Sequence, residues 1–334
     1  MKVAINGFGR IGKLVFRAFL EKNLKGVEIV AINELGSLDS SLHLMQFDSI
    51  HGKLPVEIKK TSKGLKYKNK EIKFFSERDP KNLPWKQLKV DVVLECSGVF
   101  ASKEKASSHL IAGAKKVIIS APGSNVDATI VQGVNNNILK SNHNVISNGS
   151  CTTNCLAPVA MVLDKNVGIE SGFMTTIHSY TGDQRTVDQT HSDLRRARGA
   201  AISMIPTSTG AAKALSLVLP KLKGRLDGTA IRVPTPNVSL IDFTFTSKKK
   251  TSVEKINDFV SKAAKSKQLK NILTTNNLPL VSIDFNHNSS SSVFDLTQTQ
   301  VINQKFCRVL SWYDNEWGFS NRMIDTMLDF KKFL

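Results

Sequence analysis

Residues 148–155 read Asn-Gly-Ser-Cys-Thr-Thr-Asn-Cys, a combination that suits a turn followed by the start of a helix. Ser150 is a good helix N-cap, and the apolar run after Cys155 predicts the helix itself. Cys151 would then lie in the first helical turn, where the positive end of the helix dipole stabilises a thiolate. The alternative is that Cys151 is a small buried hydrophobic side chain, which is the commonest role of a lone cysteine.

A thiolate nucleophile needs a base, and His178 is the candidate for that role. It follows a β-like run at 173–177, so we expect it at the end of a strand. The 27 positions from Cys151 to His178 leave room for a helix, a turn and a strand that returns to the same place. A lone histidine is more often structural, so the spacing by itself leaves both interpretations open.

The amino-terminal segment has the pattern of a dinucleotide-binding unit. A short apolar strand at 2–6 runs into Gly-Phe-Gly-Arg-Ile-Gly at 7–12, and a helix pattern and a second strand at 27–32 follow. The glycines permit a tight turn and the close approach of a pyrophosphate to helix N–H groups. Glu34 comes 22 residues after the last glycine, near the spacing of an acid that binds ribose hydroxyls. The predicted cofactor residues are Gly7, Gly9, Arg10, Ile11, Gly12 and Glu34.

Further apolar runs predict parallel strands that are buried on both faces, at 90–96, 115–120 and 144–147. Ligands of such sheets bind at the carboxyl ends of the strands. Arg78, Ser97 and Ser120 fall where these ends would lie, so they could hold the adenosine and nicotinamide portions of a dinucleotide. The alternative for each is a surface arginine or a loop serine.

The second half of the chain is richer in Thr and Val and alternates with polar residues, which predicts a half-exposed antiparallel sheet and a second, α+β domain. Helices are predicted at 208–219, 252–265 and 321–334. The predicted strands are 172–177, 228–232, 239–246, 281–285, 292–295 and 306–313.

Four long motifs follow one another along the chain: NGSCTTNC, TTIHSYTGDQ, TSTGAAKA and SWYDNEWGFSNRM. Together they resemble the phosphorylating glyceraldehyde-3-phosphate dehydrogenase family of the bacterial type, and the resemblance covers nearly the whole chain. It implies an α/β protein with a Rossmann-type doubly wound nucleotide-binding domain and an α+β catalytic domain built on a mainly antiparallel sheet. The expected domains are 1–150 plus 315–334 for the nucleotide and 151–314 for catalysis.

The resemblance also implies a reaction, the oxidation of D-glyceraldehyde 3-phosphate with NAD and inorganic phosphate to 1,3-bisphosphoglycerate, a reversible step of glycolysis and gluconeogenesis. Cys151 would add to the aldehyde to give a hemithioacetal, and His178 would take the hydroxyl proton as hydride leaves. The resulting thioester would keep the oxidation energy until phosphate attacks it. The backbone N–H of Cys151 would help to hold the developing oxyanion.

Two phosphate groups must be bound in such a reaction, and both need hydroxyls, backbone N–H groups and arginine. The resemblance assigns Thr181 and Arg232 to the substrate phosphate. On sequence alone, each arginine would more often form a surface ion pair. Asn315 matches the residue that hydrogen-bonds the nicotinamide carboxamide. The residues that the resemblance assigns to the attacking phosphate are Ser150, Thr152, Arg196, Thr209 and Gly210.

The choice between NAD and NADP depends on two places in the sequence. Glu34 would bind the ribose hydroxyls and repel a 2′-phosphate, although its side chain is one methylene longer than the usual aspartate and can swing aside. NAD-specific relatives commonly have Leu-Pro where this chain has Gln189 and Thr190. A threonine hydroxyl there could meet the 2′-phosphate from a neighbouring subunit. We therefore predict NAD as the main cofactor, with measurable NADP activity.

The length of 334 residues, with 41% hydrophobic and 22% charged residues, predicts an ordinary two-domain globular protein. It contains no apolar run of transmembrane length, and its first residues enter a strand pattern at once, so neither a membrane partner nor a signal peptide is expected. The four cysteines show no zinc-ligand spacing and no disulfide framework, which predicts reduced thiols, no metal site and a cytoplasmic location. The resemblance implies a homotetramer in which the polar loop at 179–201 packs between subunits.

The formal net charge of +18 favours anionic ligands, including phosphate esters and nucleic acid. The lysines are scattered, and the densest runs, 248–250 and 59–60, suit a solvated surface. No nucleic-acid recognition motif and no interleaved aromatic platform accompany them. A specific nucleic-acid partner is therefore not expected.

Two other functions compete with the one implied by the motifs. The first is the related dehydrogenase of erythrose 4-phosphate, which usually lacks the Tyr-Thr at 180–181 and the Thr-Gly-Ala-Ala-Lys at 209–213 that this chain carries. The second is a basic binding protein that kept the fold and lost catalysis. All the chemical residues are present in this chain, which favours an active enzyme over the binding protein.

Overall fold

The computed structural model describes all 334 residues, Met1–Leu334. It divides into two compact units, one of Met1–Ile130, Asn136–Gly149 and Ser320–Leu334 and the other of Val131–Asn135 and Ser150–Phe319. The strands are β1 (Lys2–Asn6), β2 (Glu28–Asn33), β3 (Phe47–Asp48), β4 (Gly52–Lys53), β5 (Lys59–Thr61), β6 (Gly64–Tyr67), β7 (Lys70–Phe75), β8 (Val92–Glu95), β9 (Lys116–Ile119), β10 (Ala128–Thr129), β11 (Val145–Ser147), β12 (Ile169–Ser179), β13 (Ile205–Ser208), β14 (Leu226–Val233), β15 (Ser239–Ser247), β16 (Leu273–Asn276), β17 (Ser292–Asp295), β18 (Gln300–Ile302) and β19 (Phe306–Tyr313). The helices are α1 (Arg10–Lys22), α2 (Leu38–Gln46), α3 (Trp85–Leu88), α4 (Lys103–Ala106), α5 (Ser108–Ile111), α6 (Cys151–Asn166), α7 (Ala211–Val218), α8 (Val253–Ala264) and α9 (Trp317–Phe330).

The first unit is built on one nine-stranded sheet in the order β10-β11-β9-β8-β1-β2-β7-β6-β5. The neighbours from β10 to β7 are parallel, whereas β7, β6 and β5 form an antiparallel edge. The central strands β8 and β9 are buried along their whole length, as their continuous apolar pattern predicts. The parallel order brings the carboxyl ends of β1, β2 and β8 to the same edge, where ligands of such sheets bind.

The carboxy-terminal segment Ser320–Leu334 belongs to this first unit. Asp325 accepts an ion-paired hydrogen bond from Lys22 at 3.0 Å, and Asp329 accepts one from Asn136 at 3.0 Å. The Lys116 ammonium lies 5.6 Å from the centre of the Phe330 ring. The end of the chain is thus tied into the unit that contains its beginning.

The second unit is built on an eight-stranded sheet in the order β13-β14-β12-β15-β19-β17-β16, with β18 paired to β19. The sheet is mainly antiparallel, and its parallel pairs are β12 with β14 and β16 with β17. Strand β15 alternates buried and half-exposed residues without a break, which is the period of a strand with one covered face. Helix α6 lies in the core on that face and is buried at most of its positions. The predicted fold class is confirmed.

The β-like pattern at 281–285 predicts a strand, and this prediction is wrong. Ser282–Phe285 forms a 3-10 helix. The Asp284 carboxylate accepts the N–H of Val281 at 2.8 Å and so closes the turn at its start. Val281 and Ile283 are 60% and 69% exposed, so these apolar side chains do not form a buried strand face.

None of the helices combines the length and the apolar character that crossing a membrane requires.

Candidate active site

The sequence at 148–155 folds as a turn and a helix start. Gly149 has a φ of +66°, a conformation that favours glycine, and it leads directly into α6. Ser150 is the N-cap, and its hydroxyl accepts the N–H of Thr153 at 3.0 Å. Cys151 is the first residue of the helix. The predicted cap and helix start are confirmed, and they place the thiol beside the free N–H groups of a helix N-terminus.

Strand pairing brings the histidine to this thiol and an arginine to the histidine. In the parallel pair of β12 and β14, His178 lies directly opposite Arg232. The Cys151 Sγ atom lies 3.5 Å from His178 Nε2. The helix, turn and strand between the two residues therefore return the chain to one place, as the spacing predicts.

The other ring nitrogen of His178 lies in a crowded polar environment. Nδ1 is 2.7 Å from the Ser179 carbonyl oxygen and 2.9 Å from Arg232 Nη1, which is itself 3.1 Å from the same carbonyl. Nδ1 can donate to that carbonyl or accept from Arg232, and the tautomer with the proton on Nδ1 leaves Nε2 as the acceptor that faces the sulfur. Burial, together with the positive charge of Arg232, lowers the pKa of His178 to about 3. His178 is thus a neutral imidazole, and its proton affinity stays low while the charge of Arg232 lies beside it.

The environment of Cys151 contains opposing influences. Burial raises the pKa of the thiol. Arg232, the Thr152 hydroxyl and the N–H groups of Cys151 and Thr152 act in the opposite direction. The net shift is upward, so the helix N-terminus does not by itself produce the thiolate that its dipole predicts. The pair is arranged instead as a thiol beside a neutral base, in which His178 takes the proton as sulfur attacks.

A chain of hydroxyl groups fixes the start of α6 against the sheet. The Tyr313 hydroxyl lies 2.9 Å from Thr152 Oγ1 and 2.8 Å from Thr176 Oγ1, which donates to the Leu240 carbonyl at 3.1 Å. The Tyr313 ring also packs edge-on against His178, with centroids 5.9 Å apart. The side chain of Thr152 is thus engaged with Tyr313, and its backbone N–H remains at the helix start. Sequence reasoning missed Tyr313, although it precedes Asn315 in the last motif.

Arg196 lies in a network of polar groups beside β13. Its guanidinium donates to Asp183 at 2.7 Å, to Thr207 Oγ1 at 3.0 Å and to the Ser208 carbonyl at 3.3 Å. Asp193 is 3.6 Å away and accepts from the Thr207 hydroxyl. These bonds hold the guanidinium at the end of β13, and two residues separate that strand from the start of α7.

The predicted Thr209 and Gly210 form the entry to α7. Gly210 is the N-cap and has no side chain to cap the helix, so the N–H groups that follow Ala211 in the first turn are left for another acceptor. The Thr209 hydroxyl accepts the N–H of Ala211 at 3.2 Å. Thr153 Oγ1 lies 3.4 Å from the Ala211 carbonyl, so the N-termini of α6 and α7 meet. Two helix starts and an arginine are a suitable setting for an anion.

Thr181 follows β12 and is held by Gln184. The Thr181 N–H donates to Gln184 Oε1 at 3.0 Å, and the Gln184 N–H returns to the Thr181 carbonyl at 3.0 Å. Gln184 Nε2 and Arg232 Nε are buried and have no hydrogen-bond partner. Such donors are costly unless an acceptor meets them. Gln184 was not predicted as a site residue, although it lies within the TTIHSYTGDQ motif.

Asn315 is buried and its amide orientation is fixed. Its Oδ1 accepts from the Ser179 hydroxyl at 2.8 Å and from the Ser239 hydroxyl at 2.9 Å. With the oxygen satisfied twice, the amide NH₂ is the end that can serve a ligand, and it would donate. This is the polarity that a carboxamide oxygen requires.

The first unit contains a cavity of about 330 Å³ at the carboxyl ends of its central strands. A Cβ on Gly7 would lie 2.5 Å from the backbone of Ser97, and a Cβ on Gly12 would lie 2.0 Å from the Gly7 carbonyl oxygen. Glycines are therefore required at both positions by close packing of backbone on backbone. The lining residues are Asn6, Gly7, Gly9, Asn33, Glu34, Leu35, Glu77, Arg78, Cys96, Ser97, Val99 and Phe100.

This cavity suits a dinucleotide. Helix α1 begins beside it with Gly9 as the N-cap, so no side chain caps its first N–H groups, and these can receive a phosphate. The Glu34 carboxylate accepts the N–H of Phe8 at 2.6 Å and of Gly36 at 3.0 Å, which holds it at the rim. Of the predicted cofactor residues, the cavity brings together Gly7, Gly9, Glu34, Arg78 and Ser97.

Four predicted cofactor residues of the first unit do not line this cavity, and neither does Asn315 of the second unit. Arg10 forms an ion pair with Asp48 at 2.6 Å, and Gly12 serves the packing of the turn. Ile11 is half-buried on α1, and Ser120 follows β9, where its N–H donates to the Glu95 carbonyl at 2.9 Å.

Family models match both halves of the chain. The model of the glyceraldehyde 3-phosphate dehydrogenase NAD binding domain matches residues 1–103, and that of the C-terminal domain matches residues 150–315. The chain belongs to the glyceraldehyde-3-phosphate dehydrogenase family. The family resemblance, the Rossmann-type domain and the NAD cofactor that the motifs predict are thereby confirmed.

Curated members of the family resemble the chain over almost its whole length. A glyceraldehyde-3-phosphate dehydrogenase of Xanthobacter flavus is 59% identical, over 98% of this chain and 97% of the relative. The chromosomal enzyme of that name from Cupriavidus necator is 56% identical, over 98% and 97%. The one from Geobacillus stearothermophilus is 53% identical, over 97% and 96%.

Proposed function

We propose that this chain catalyses the NAD-dependent oxidation of D-glyceraldehyde 3-phosphate with inorganic phosphate to 1,3-bisphosphoglycerate, reversibly, in the cytoplasm. The observation that carries the proposal is the 3.5 Å approach of Cys151 Sγ to His178 Nε2, in a chain that belongs to this family. No metal is required, because the nucleophile and the base are both side chains. Residues 1–150 plus 315–334 would bind the nucleotide and 151–314 would carry out the chemistry.

The first step joins the substrate to the protein. The sulfur of Cys151 forms a bond to the aldehyde carbon while His178 Nε2 takes the thiol proton, and the N–H groups at the start of α6 face the developing oxyanion. The carbonyl π bond breaks, and His178 returns the proton to the oxyanion, which gives the hydroxyl group of a hemithioacetal. A base within reach of the sulfur is essential here, since burial keeps the pKa of Cys151 high.

The second step oxidises the hemithioacetal. NAD, when bound, accepts the hydride that leaves the former aldehyde carbon. His178, which is neutral again after the first step, takes the hydroxyl proton as the carbonyl re-forms, and a thioester is left on Cys151. The amide of Asn315, with its oxygen held by two serines, is the group that would orient the nicotinamide carboxamide.

The third step releases the product. An oxygen of inorganic phosphate attacks the thioester carbon, the carbon–sulfur bond breaks, and the acyl phosphate is released. The sulfur takes up the proton that His178 holds, which restores the thiol and the neutral histidine. Arg196 and the converging starts of α6 and α7 would hold this phosphate, with Ser150, Thr209 and Gly210 as donors.

The substrate phosphate would be bound by Thr181 and Arg232. The buried Nε of Arg232 and Nε2 of Gln184 have no protein partner, and a phosphate ester would supply the acceptors. Binding would also draw the positive charge of Arg232 away from His178 Nδ1, 2.9 Å away, which makes the histidine a stronger base.

The decisive experiment measures NADH formation by the purified full-length protein. We expect continuous NADH formation when D-glyceraldehyde 3-phosphate, NAD and phosphate are all present. When phosphate is left out, NADH formation should stop after one thioester has formed at each site. A higher kcat/KM with erythrose 4-phosphate would overturn the proposed substrate. Binding of NAD without any aldehyde oxidation would reduce the protein to a binding protein.

The substrate phosphate site has its own test. Arg232→Ala should raise the KM for D-glyceraldehyde 3-phosphate by about 100-fold, because charge-assisted hydrogen bonds to a buried anion are lost. Unphosphorylated glyceraldehyde lacks the group that the arginine binds, so its kcat/KM should change much less. Equal losses on both aldehydes would assign Arg232 to His178 rather than to the phosphate.

Cofactor choice is proposed to favour NAD, with weak use of NADP. Glu34 is held at the rim of the cavity by two backbone N–H groups, where a 2′-phosphate would meet its negative charge. Glu34→Ala should raise kcat/KM for NADP by about tenfold, and Thr190→Pro should lower it. A wild-type protein with no NADP turnover would show that Glu34 alone sets the choice.

A homotetramer is the proposed assembly, with neither a nucleic-acid nor a membrane partner. In the second unit, apolar side chains on and just after the loop at 179–201 are largely exposed in the single chain, with Val187 at 73%, Leu194 at 82%, Ile202 at 89% and Met204 at 75%. Large apolar side chains exposed in one segment of a single chain are typical of a protein interface. Light scattering coupled to gel filtration gives the mass. A monomer would contradict the proposal.

A further inference from the structure

The central strand β8 ends in a carboxylate for which the steps above have no use. Glu95 is 1% exposed, and the other residues of the strand are buried valines and a leucine. Removal of a carboxylate from water is costly unless hydrogen bonds replace its hydration. The groups around Glu95 therefore decide whether it only burdens the fold or serves the neighbouring cavity.

Four donors surround the Glu95 carboxylate. Oε1 accepts the N–H of Ser97 at 2.8 Å and also the Ser97 hydroxyl. Oε2 accepts the amide of Asn6 at 2.6 Å and lies 2.9 Å from His109 Nε2. Both oxygens are thus satisfied twice, as an acceptor-only group requires.

The hydrogen-bond pattern shows which partners of Glu95 donate to it. The Trp85 indole N–H can only donate, and it lies 3.0 Å from His109 Nδ1, so that nitrogen accepts and Nε2 carries the proton. Ser97 N, Asn6 Nδ2 and His109 Nε2 are then donors with no capacity to accept. Glu95 thus has three partners that can only donate to it, and His109 is held in the tautomer that does so.

The network continues to the wall of the cavity. Asn6 ends β1 and accepts from Asn33, which ends β2, at 2.8 Å. Asn33 in turn exchanges two hydrogen bonds with the backbone of Glu77, at 2.9 and 2.8 Å. Asn6, Asn33, Glu77 and Ser97 all line the cavity, whereas Glu95 lies behind them. One carboxylate therefore joins the carboxyl ends of three neighbouring strands at the ligand-binding edge.

We propose that Glu95 is a positioning residue for the dinucleotide, whose carboxylate fixes the Ser97 loop and the Asn6–Asn33 pair before the cofactor arrives. The inference rests on the proposed function only in taking this cavity as the NAD site. A preformed wall lowers the cost of ordering side chains on binding. Because the Ser97 hydroxyl gives its proton to Glu95 and accepts the Val99 N–H at 3.1 Å, it offers a ligand a lone pair and not a donor.

The test is Glu95→Gln, which keeps the shape and replaces one oxygen by an NH₂. At the Oε2 end that NH₂ would face two fixed donors, so it must turn towards Ser97, where it displaces the backbone N–H. We expect the dissociation constant and the KM for NAD to rise by about tenfold. The kcat at saturating NAD and the KM for the aldehyde should stay within about twofold.

Lys116→Met is the matched control. Lys116 is a buried charge at the opposite, amino-terminal end of the neighbouring strand β9, where its ammonium donates to the Ser141 and His143 carbonyls and to Asn144. Both variants should lower the melting temperature, and only Glu95→Gln should weaken NAD. Equal weakening by both variants, or a less stable Glu95→Gln with unchanged NAD binding, would overturn the proposal.

A measurement on the wild-type protein covers the case in which Glu95→Gln does not fold. Hydrogen exchange of the peptide that contains Ser97 and Val99 should be slow without NAD and change little when NAD is added. Fast exchange without NAD would show that the cofactor, and not Glu95, orders the loop. NAD binding is measured directly here, so a wild type that binds NAD but does not oxidise the aldehyde would refute the proposed reaction and leave this inference standing.

Discussion

Cys151 and Cys155 lie one turn apart on α6, yet their sulfur atoms meet different surroundings. Cys155 is 0% exposed, its Sγ lies 3.4 Å from the Ser292 hydroxyl, and burial raises its pKa to about 12. Cys151 is partly exposed and lies 3.5 Å from a histidine nitrogen, at the N-terminus of the helix. Burial also raises its pKa, but Arg232 and helix N–H groups oppose the shift.

The comparison shows what turns a cysteine into a nucleophile. Both thiols belong to one helix and one motif, so composition does not separate them. A base that can accept the proton, an arginine near the sulfur and its place as the first residue of the helix distinguish Cys151. The partners of Cys155 are a serine hydroxyl and the Ser311 carbonyl, which do not titrate.

The largest expected effect separates the two sulfurs by activity. Cys151→Ser should lower kcat/KM by at least about 1,000-fold, because a serine hydroxyl is a far weaker nucleophile at neutral pH. Cys155→Ala should leave kcat/KM within about twofold and cost about 1 kcal/mol of stability through the cavity it creates. Steady-state kinetics and urea unfolding measure both. A comparable loss of activity in Cys155→Ala would remove the distinction.

Alkylation by iodoacetamide separates them by reactivity. Cys151 should react at least about 100-fold faster than Cys155, as identified by peptide mass spectrometry. The rate at Cys151 should increase as the pH rises towards its raised pKa, because the thiolate is the reactive form. Arg232→Ala removes a neighbouring positive charge, so it should move the profile to higher pH. Preferential labelling of Cys96, Cys155 or Cys307 would contradict the assignment.

A comparison of two helix caps tests the role of the first turn of α6. Ser150→Ala and Ser252→Ala each remove an N-cap hydroxyl, on α6 and α8 respectively, and each should cost about 1 kcal/mol of stability. Only Ser150→Ala should raise the KM for phosphate, by about five- to tenfold, since a donor at the anion site is lost. If Ser252→Ala raised that KM equally, the effect would come from stability alone.

The last comparison is a pH dependence of the free energy of unfolding, and it belongs to the base of Cys151. His178 titrates near its ordinary value of 6.5 in the unfolded chain and at about 3 in the folded one. Between these values the unfolded state binds the extra proton, so the free energy of unfolding falls as the pH is lowered, by at most about 1.4 kcal/mol per pH unit. His178→Gln should lose this component, and Cys155→Ala should keep it. Identical slopes in all three proteins would contradict the buried neutral histidine.

Much of the site could be predicted because its signals are local. Ser150 as a cap, Cys151 in the first turn and the glycine turn at 7–12 follow from backbone chemistry that acts within a few residues. The strand predicted at 281–285 is wrong because its local apolar pattern is that of a strand, whereas the Asp284 side chain closes a turn there and Val281 stays exposed. Periodicity cannot report whether a neighbouring strand is available.

The sequence by itself determined the family, the order of the elements and which residue types could carry the chemistry. Only the tertiary structure decided which partners meet: His178 beside Arg232 through strand register, Tyr313 against the start of α6, and Glu95 as a carboxylate behind the cavity. These pairs join residues far apart in the chain. Proton affinities at such places depend on burial and on charges a few ångströms away, which a chain acquires only when it folds.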